Sequence, residues 1–288
     1  MANMPTTKSN PLAGFMRQPK IYVQLPSQGQ YWPKGTLQMT ENGEFPVFSM
    51  TARDELMFKT PDALLNGQSM VDVIQSCVPN IKNAWFCPTI DLDTILIAIR
   101  LATYGERLPL THKIPNIDEE DEHELDLRLL LEQQRHNIWV EQVAISHDLV
   151  VFVKPLTYKH LAQTSLKSFE TSRLLNAVND ESTSEEQKVA MFNESLQNLT
   201  KITVDLMSDA IYKIQTGETE VTDLKFISEF VNNVDKEIFQ KIQDHISSLK
   251  ERNDIKPLTF TTTEEQQALG APASYTIPVN FNNSDFFG

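Results

Sequence analysis

Cysteine and glycine are both scarce in this 288-residue sequence, which contains two cysteines and nine glycines. Two thiols cannot build a disulfide framework. Both Cys77 and Cys87 stand among apolar residues, as is typical of small buried side chains in a reducing compartment. None of the glycines forms the G-x-G-x-x-G or Walker pattern that cradles phosphates. We therefore expect neither thiol catalysis nor one of the usual nucleotide sites.

Long apolar runs and an excess of positive charge are also missing. The longest apolar run, residues 95–99, is far too short for a bilayer span, and the first twenty residues lack the apolar stretch of a signal peptide. The 39 acidic residues outnumber the 25 basic ones, which gives a net charge of −14. Nucleic acids and anionic membranes would repel such a chain. We expect a soluble protein that stays in the cytoplasm where it is made.

Motifs for catalysis or metal binding are hard to find in the sequence. It has no G-x-S-x-G elbow, and none of its six histidines form an H-x-x-x-H pair. Because His123 lies inside the acidic block 118–126, we also consider an oxygen-rich metal site there. Such blocks are more often solvated loops. We predict no enzymatic activity, no cofactor and no stoichiometric zinc.

Hydrophobic patterning divides the chain into five segments. It predicts a flexible basic arm at 1–19, a β/helical domain at 20–106, an acidic loop and β-hairpin at 107–155, a helical domain at 156–252 and an extended β segment at 253–288. The predicted hairpin pairs 139–145 with 149–153. The expected fold class is α+β and predominantly α-helical, with a helical core, an array of long helices, the hairpin and an extended C-terminal strand.

Capping signals mark helices in the N-terminal domain. Thr51 and Asp54 form a capping box, so Asp54→Ala should lose about 0.5–2 kcal/mol of stability. Thr60-Pro61 predicts the start of a second short helix. Asp91 can cap a third, and Gly105 suits its C-terminal end. The apolar face of this third helix is formed by Leu92, Ile95, Leu96, Ile99 and Ala102.

The helical domain carries apolar stripes at helical spacing. One consists of Leu196, Leu199, Ile202, Leu206 and Ala210. Such stripes are mostly core, but a helical array of this length can also leave one stripe facing a partner.

Aromatic side chains occur in two segments with little local core. Tyr31 and Trp32 follow the turn sequence 26–29, and Phe286 and Phe287 lie near the C-terminus. Because interface energy concentrates in buried aromatics, we predict these four residues as partner-binding anchors. The alternative is that they fold back onto their own domain.

Several short sequences in the chain are distinctive. They are LPSQGQYW (25–32), MTARDE (50–55), KTPDALLNGQ (59–68), SCVP (76–79), IDLDTILIAIRLATYGE (90–106) and PVNFNNSDFF (278–287). Together they resemble the baseplate hub assembly family of T-even-type bacteriophages, most strongly over 20–106. Some related sequences carry C-x-x-C knuckles near positions equivalent to 112–124 and near the C-terminal strands. This chain has no cysteine there, so any zinc of such relatives is not transferred to it.

The resemblance implies a role in contractile-tail assembly. It points to an assembly factor, or chaperone, that binds hub subunits or the tape-measure protein in the host cytoplasm. The alternative is a structural hub subunit that is retained in the virion.

Overall fold

A computed structural model describes residues 12–58, 67–178 and 184–279. Most of the predicted basic arm, the predicted helix start at Thr60-Pro61 and the aromatic pair Phe286 and Phe287 lie outside these ranges. The described structure is 48% helical and 22% strand. It is a mixed α+β fold, and the prediction that helices predominate is wrong.

The elements before residue 136 are β1 (Pro19–Gln24), β2 (Glu44–Phe48), α1 (Ala52–Phe58), α2 (Gln68–Cys77), α3 (Thr89–Tyr104), β3 (Arg107–Lys113), β4 (Glu120–Asp126) and α4 (Leu127–Arg135). After it come β5 (Gln142–Ala144), β6 (Leu149–Val153), α5 (Tyr158–Val178), α6 (Glu185–Ala210), β7 (Ile211–Thr216), β8 (Thr219–Val221), α7 (Leu224–Asn233), α8 (Lys236–Asn253), β9 (Leu258–Thr261), α9 (Glu264–Ala268) and β10 (Ser274–Ile277).

The predicted hairpin around residues 146–148 is confirmed, because β5 pairs with β6 in antiparallel register. Its sheet is larger than predicted. β7 pairs with β6 and β8 pairs with β7, so the order is β5-β6-β7-β8. Strands β7 and β8 fall inside the segment predicted to be helical. Ile211 and Ile214 fill the core beside β6, and Gly217 makes the turn with a positive φ of 57°.

The acidic block was predicted to be a loop, but most of it is strand β4. β4 pairs with β3 along its whole length, from Arg107 opposite Asp126 to Lys113 opposite Glu120. Acids at alternate positions point to the solvent face, where bases of β3 oppose some of them. The pleat of the strand therefore places neighbouring residues of the acidic block on opposite faces of the hairpin.

The N-terminal core surrounds α3. Ile95, Ile97, Ala98 and Ile99 are fully buried there, and β1, β2, α2 and α4 contribute the surrounding side chains. The predicted capping box of Thr51 and Asp54 and the glycine end of α3 are both present.

A second core lies between the β5–β8 sheet and helices α7 and α8. Its buried side chains are Val143, Val151, Val153, Met207, Ile211, Ile214, Ile227, Val231, Ile242 and Leu249. A third, smaller cluster of Ile114, Ala271 and Tyr275 joins the β3–β4 hairpin to the β9–β10 hairpin.

Candidate functional site

The loop after β1, residues 25–32, carries Tyr31 and Trp32, and the buried side chain of Asp91 holds this motif loop in place. This carboxylate is fully buried in the first turn of α3. It accepts hydrogen bonds from the backbone N–H of Ser27 and the indole N–H of Trp32, both at 2.8 Å, and one from the Ser27 hydroxyl. Asp91 was predicted to cap its own helix. Instead, it satisfies donors of the loop after β1.

Burial and hydrogen bonding act on Asp91 in opposite directions. Removal from water raises its pKa to about 6, whereas the hydrogen bonds from Ser27 and Trp32 favour the charged form. Trp32 itself is only 8% exposed. This side chain therefore has a structural role within the chain.

Tyr31 connects the same loop to the β5–β8 sheet. Its hydroxyl donates to Glu141 Oε1 at 3.0 Å, and the hydroxyl of Tyr212 donates to Glu141 Oε2 at 2.8 Å. One carboxylate thus ties the motif loop to strand β7. The role predicted for Tyr31, Trp32, Phe286 and Phe287 as partner anchors stays a prediction.

A second polar network forms around Asp54. Its Oδ2 accepts from the backbone N–H and hydroxyl of Thr51, both at 2.8 Å, and from the Ser76 hydroxyl at 3.0 Å. Arg17 lies 3.5 Å from the same oxygen and donates to the carbonyls of Ser49 and Ser76 at 2.6 Å each. The network joins the segment before β1 to the start of α1 and the end of α2. The neighbouring Arg53 is exposed.

Helices α5 and α6 carry several exposed apolar side chains and little buried apolar surface over part of their length. Over residues 158–200, Thr171 and Ser195 are the buried side chains among those that the structure describes. Both are polar. Several large apolar side chains of the same stretch are exposed instead: Leu161, Leu166 and Phe169 on α5, and Val189, Phe192, Leu196 and Leu199 on α6. This part of the helical pair has its apolar residues on the outside.

The exposed large apolar residues of α6 form one stripe. Val189, Phe192, Leu196 and Leu199 follow each other at intervals of three and four positions, which places them on one face of a helix. We call them the α6 stripe. Leu196 also lines a shallow groove with Thr200, Val204 and Asn232.

Sequence reasoning found only part of this surface. It identified Leu196 and Leu199 but extended their stripe to Ile202 and Ala210, which are buried in the fold. It missed Val189 and Phe192. The signal available was that Val189 and Phe192 share one helical face with Leu196 and Leu199.

The thiols are placed as predicted. Cys77 and Cys87 are both fully buried. Burial raises the pKa of Cys77 to about 12 and that of Cys87 well above its usual value, so neither is poised as a thiolate nucleophile.

A group with metal-ligand spacing occurs on the β3–β4 hairpin. His112, Asp121 and His123 each offer a ligand atom, and these atoms lie within 4.8 Å of one another. The sequence suggested a metal site around His123 in the acidic block but not the contribution of His112, which strand pairing places opposite Asp121.

The described residues thus combine polar networks inside the fold with apolar side chains on the outside of two helices. Exposed apolar side chains of this kind are typical of surfaces that contact other proteins. In the described part of the chain, no helix combines the length and apolar character that crossing a membrane requires.

The chain belongs to the family described as T4 bacteriophage base plate protein, whose model matches residues 18–268. The family predicted from the short motifs is therefore confirmed at the level of a T4-type baseplate protein. No curated protein and no solved structure matches the chain significantly. The family is structural in general, and it implies other phage tail proteins as partners.

Proposed function

We propose that this protein is an assembly factor of the baseplate hub, which holds hub subunits or the tape-measure protein in the host cytoplasm while the tail is built. The observation that carries the proposal is the α6 stripe. Its four apolar side chains are exposed. Among the described residues in the same part of α6, the buried side chain is the polar Ser195. Leaving such a stripe in water is unfavourable, and a partner that covers it removes this cost.

An amphipathic helix is the partner element that fits this surface best. Side chains at intervals of three and four positions match the spacing by which one helix packs along another. The net charge of −14 favours approach of a basic partner, whereas apolar contacts supply most of the affinity. A long helical protein such as a tape measure offers amphipathic helices of this kind.

A transient role is tested by following the protein through tail assembly. Tagged protein is isolated from infected cells, and its bound proteins are identified together with the protein content of purified virions. We expect hub or tape-measure protein in the cellular complex and little or none of this chain in the virion. Stoichiometric presence in virions would contradict the assembly-factor proposal and favour a retained hub subunit.

The aromatic pair Phe286 and Phe287 enters this proposal as a second contact. Both residues lie outside the described ranges, so a deletion of 285–288 is the direct test. Lost capture of the partner at an unchanged melting temperature supports an anchor role. Lost stability with proportional loss of capture supports docking of the pair onto its own domain.

A further inference from the structure

The two hairpins β3–β4 and β9–β10 face each other and enclose a half-buried polar cluster. Ile114, Ala271 and Tyr275 are buried at their contact, with Phe260 and Ile277 packed alongside. Beside this apolar contact, polar atoms from both hairpins converge. The small core gives the cluster a fixed frame.

Strand register creates the convergence. His112 of β3 lies directly opposite Asp121 of β4, and His123 follows Asp121 by two positions on the same face of the ribbon. His123 Nε2 lies 3.0 Å from Asp121 Oδ2, and the ligand atoms of all three residues lie within 4.8 Å of one another. Strand register thus gathers two imidazoles and one carboxylate at one place on the ribbon.

The other hairpin completes and covers the cluster. The Tyr275 hydroxyl lies 2.8 Å from His112 Nε2. The ring of Phe260 stacks on His123 with centroids 4.1 Å apart, and the rings of His112 and His123 stack at 5.4 Å. These ring contacts restrict the rotation of both imidazoles. Ligands held in this way lose little freedom when they bind an ion.

We propose that His112, Asp121 and His123 form a binding site for a divalent transition-metal ion of the Zn²⁺ type. Imidazole and carboxylate ligands suit Zn²⁺ and its first-row neighbours, and three protein ligands leave a fourth position for water or the Tyr275 hydroxyl. A bound ion would link β3 to β4 beside the contact with β10, so its role would be structural. The acidic surface of the chain also favours the approach of a cation.

The proposal reverses the expectation of a zinc-free protein. That expectation rested on the buried thiols and on the absence of paired histidines along the sequence. The competing account is that the same atoms form only a hydrogen-bonded cluster, in which Tyr275 and Asp121 satisfy the two imidazoles.

The test uses the full chain after chelator treatment and dialysis. Zn²⁺ binding is measured by titration calorimetry, and Co²⁺ is added separately so that its visible absorption reports the ligand geometry. The variants are His112→Gln, His123→Gln and Asp121→Asn, each checked for folding by circular dichroism. His147→Gln is the matched control, because His147 also lies 3.0 Å from an aspartate, Asp148, but on an exposed turn.

We expect one Zn²⁺ per chain in the wild type and the control, and binding at least about tenfold weaker in each folded ligand variant. Co²⁺ should show the absorption of a four-coordinate site that these variants lose. Absence of Zn²⁺ binding in the wild type would overturn the proposal, as would equal binding by wild type, His123→Gln and Asp121→Asn. If His112→Gln fails to fold, the other two variants decide the outcome.

Discussion

The indole nitrogen of Trp32 donates a hydrogen bond to the carboxylate of Asp91 at 2.8 Å, across 59 positions of the sequence. The bond joins the loop after β1 to the first turn of α3. Two of the sequence motifs that carry the family resemblance therefore belong to one structural unit. Their residues hold the loop in place from inside the fold.

Removing the carboxylate of Asp91 should strongly destabilise the protein. Asp91→Ala leaves the donors of Ser27 and Trp32 without their acceptor in a buried site, which costs about 2–4 kcal/mol in the free energy of unfolding. Urea unfolding of the variant measures the loss, with Asp148→Ala on an exposed turn as control. A change below about 0.5 kcal/mol, as is usual for surface substitutions, would show that the network contributes little.

Asp54 should contribute more to the free energy of unfolding than an ordinary capping residue does. The sequence alone predicts a loss of about 0.5–2 kcal/mol for Asp54→Ala. Because the carboxylate is buried and also accepts from Ser76 beside Arg17, we expect about 2–4 kcal/mol. The comparison variant is Asp72→Ala, whose carboxylate bonds Gln68 on the surface of α2. Equal melting temperatures for the two variants would contradict the structural account.

Asp93 should make stability depend on pH. Burial and, to a smaller extent, the negative charge of Asp254 raise the pKa of Asp93 to about 6, although the positive charge of Lys250 acts to lower it. The folded state therefore keeps a proton that the unfolded chain releases near pH 4, so the contribution of Asp93 to stability falls as the pH rises from 4 through 6.

Asp93→Asn cannot ionise, so it should be more stable than the wild type at pH 7, by about 1–3 kcal/mol, and nearly equal to it at pH 4. Urea unfolding at both pH values checks this, with the exposed Asp205→Asn as control. A variant that is destabilised at pH 7 would show that the carboxylate is stabilised in its charged form.

Features set by neighbouring residues could be predicted from the sequence. The Thr51–Asp54 capping box, the turn between β5 and β6 and the buried face of α3 each depend on spacings of a few positions. Local hydrogen bonding and periodicity determine them, so the pattern alone is sufficient.

Features set by distant residues could not be predicted. Strand β7 directly continues α6 and becomes a strand because β6 offers its edge. His112 and Asp121 meet through strand register, and the partner of Asp91 lies in another element. The exposure of the α6 stripe is likewise a property of the whole fold, because only the fold decides which helix faces are covered.

We propose that the α6 stripe binds a partner. Its test is the double variant Phe192→Ser/Leu196→Ser, compared with Phe226→Ser for capture of hub and tape-measure proteins from infected cells. Phe226 is 61% exposed against 48% for Phe192 but lies on α7, outside the stripe. We predict that the double variant loses about 10–100-fold in partner affinity at an unchanged melting temperature, whereas Phe226→Ser binds normally. Full capture by the double variant, or a loss of capture that merely follows a loss of folded protein, would contradict the account.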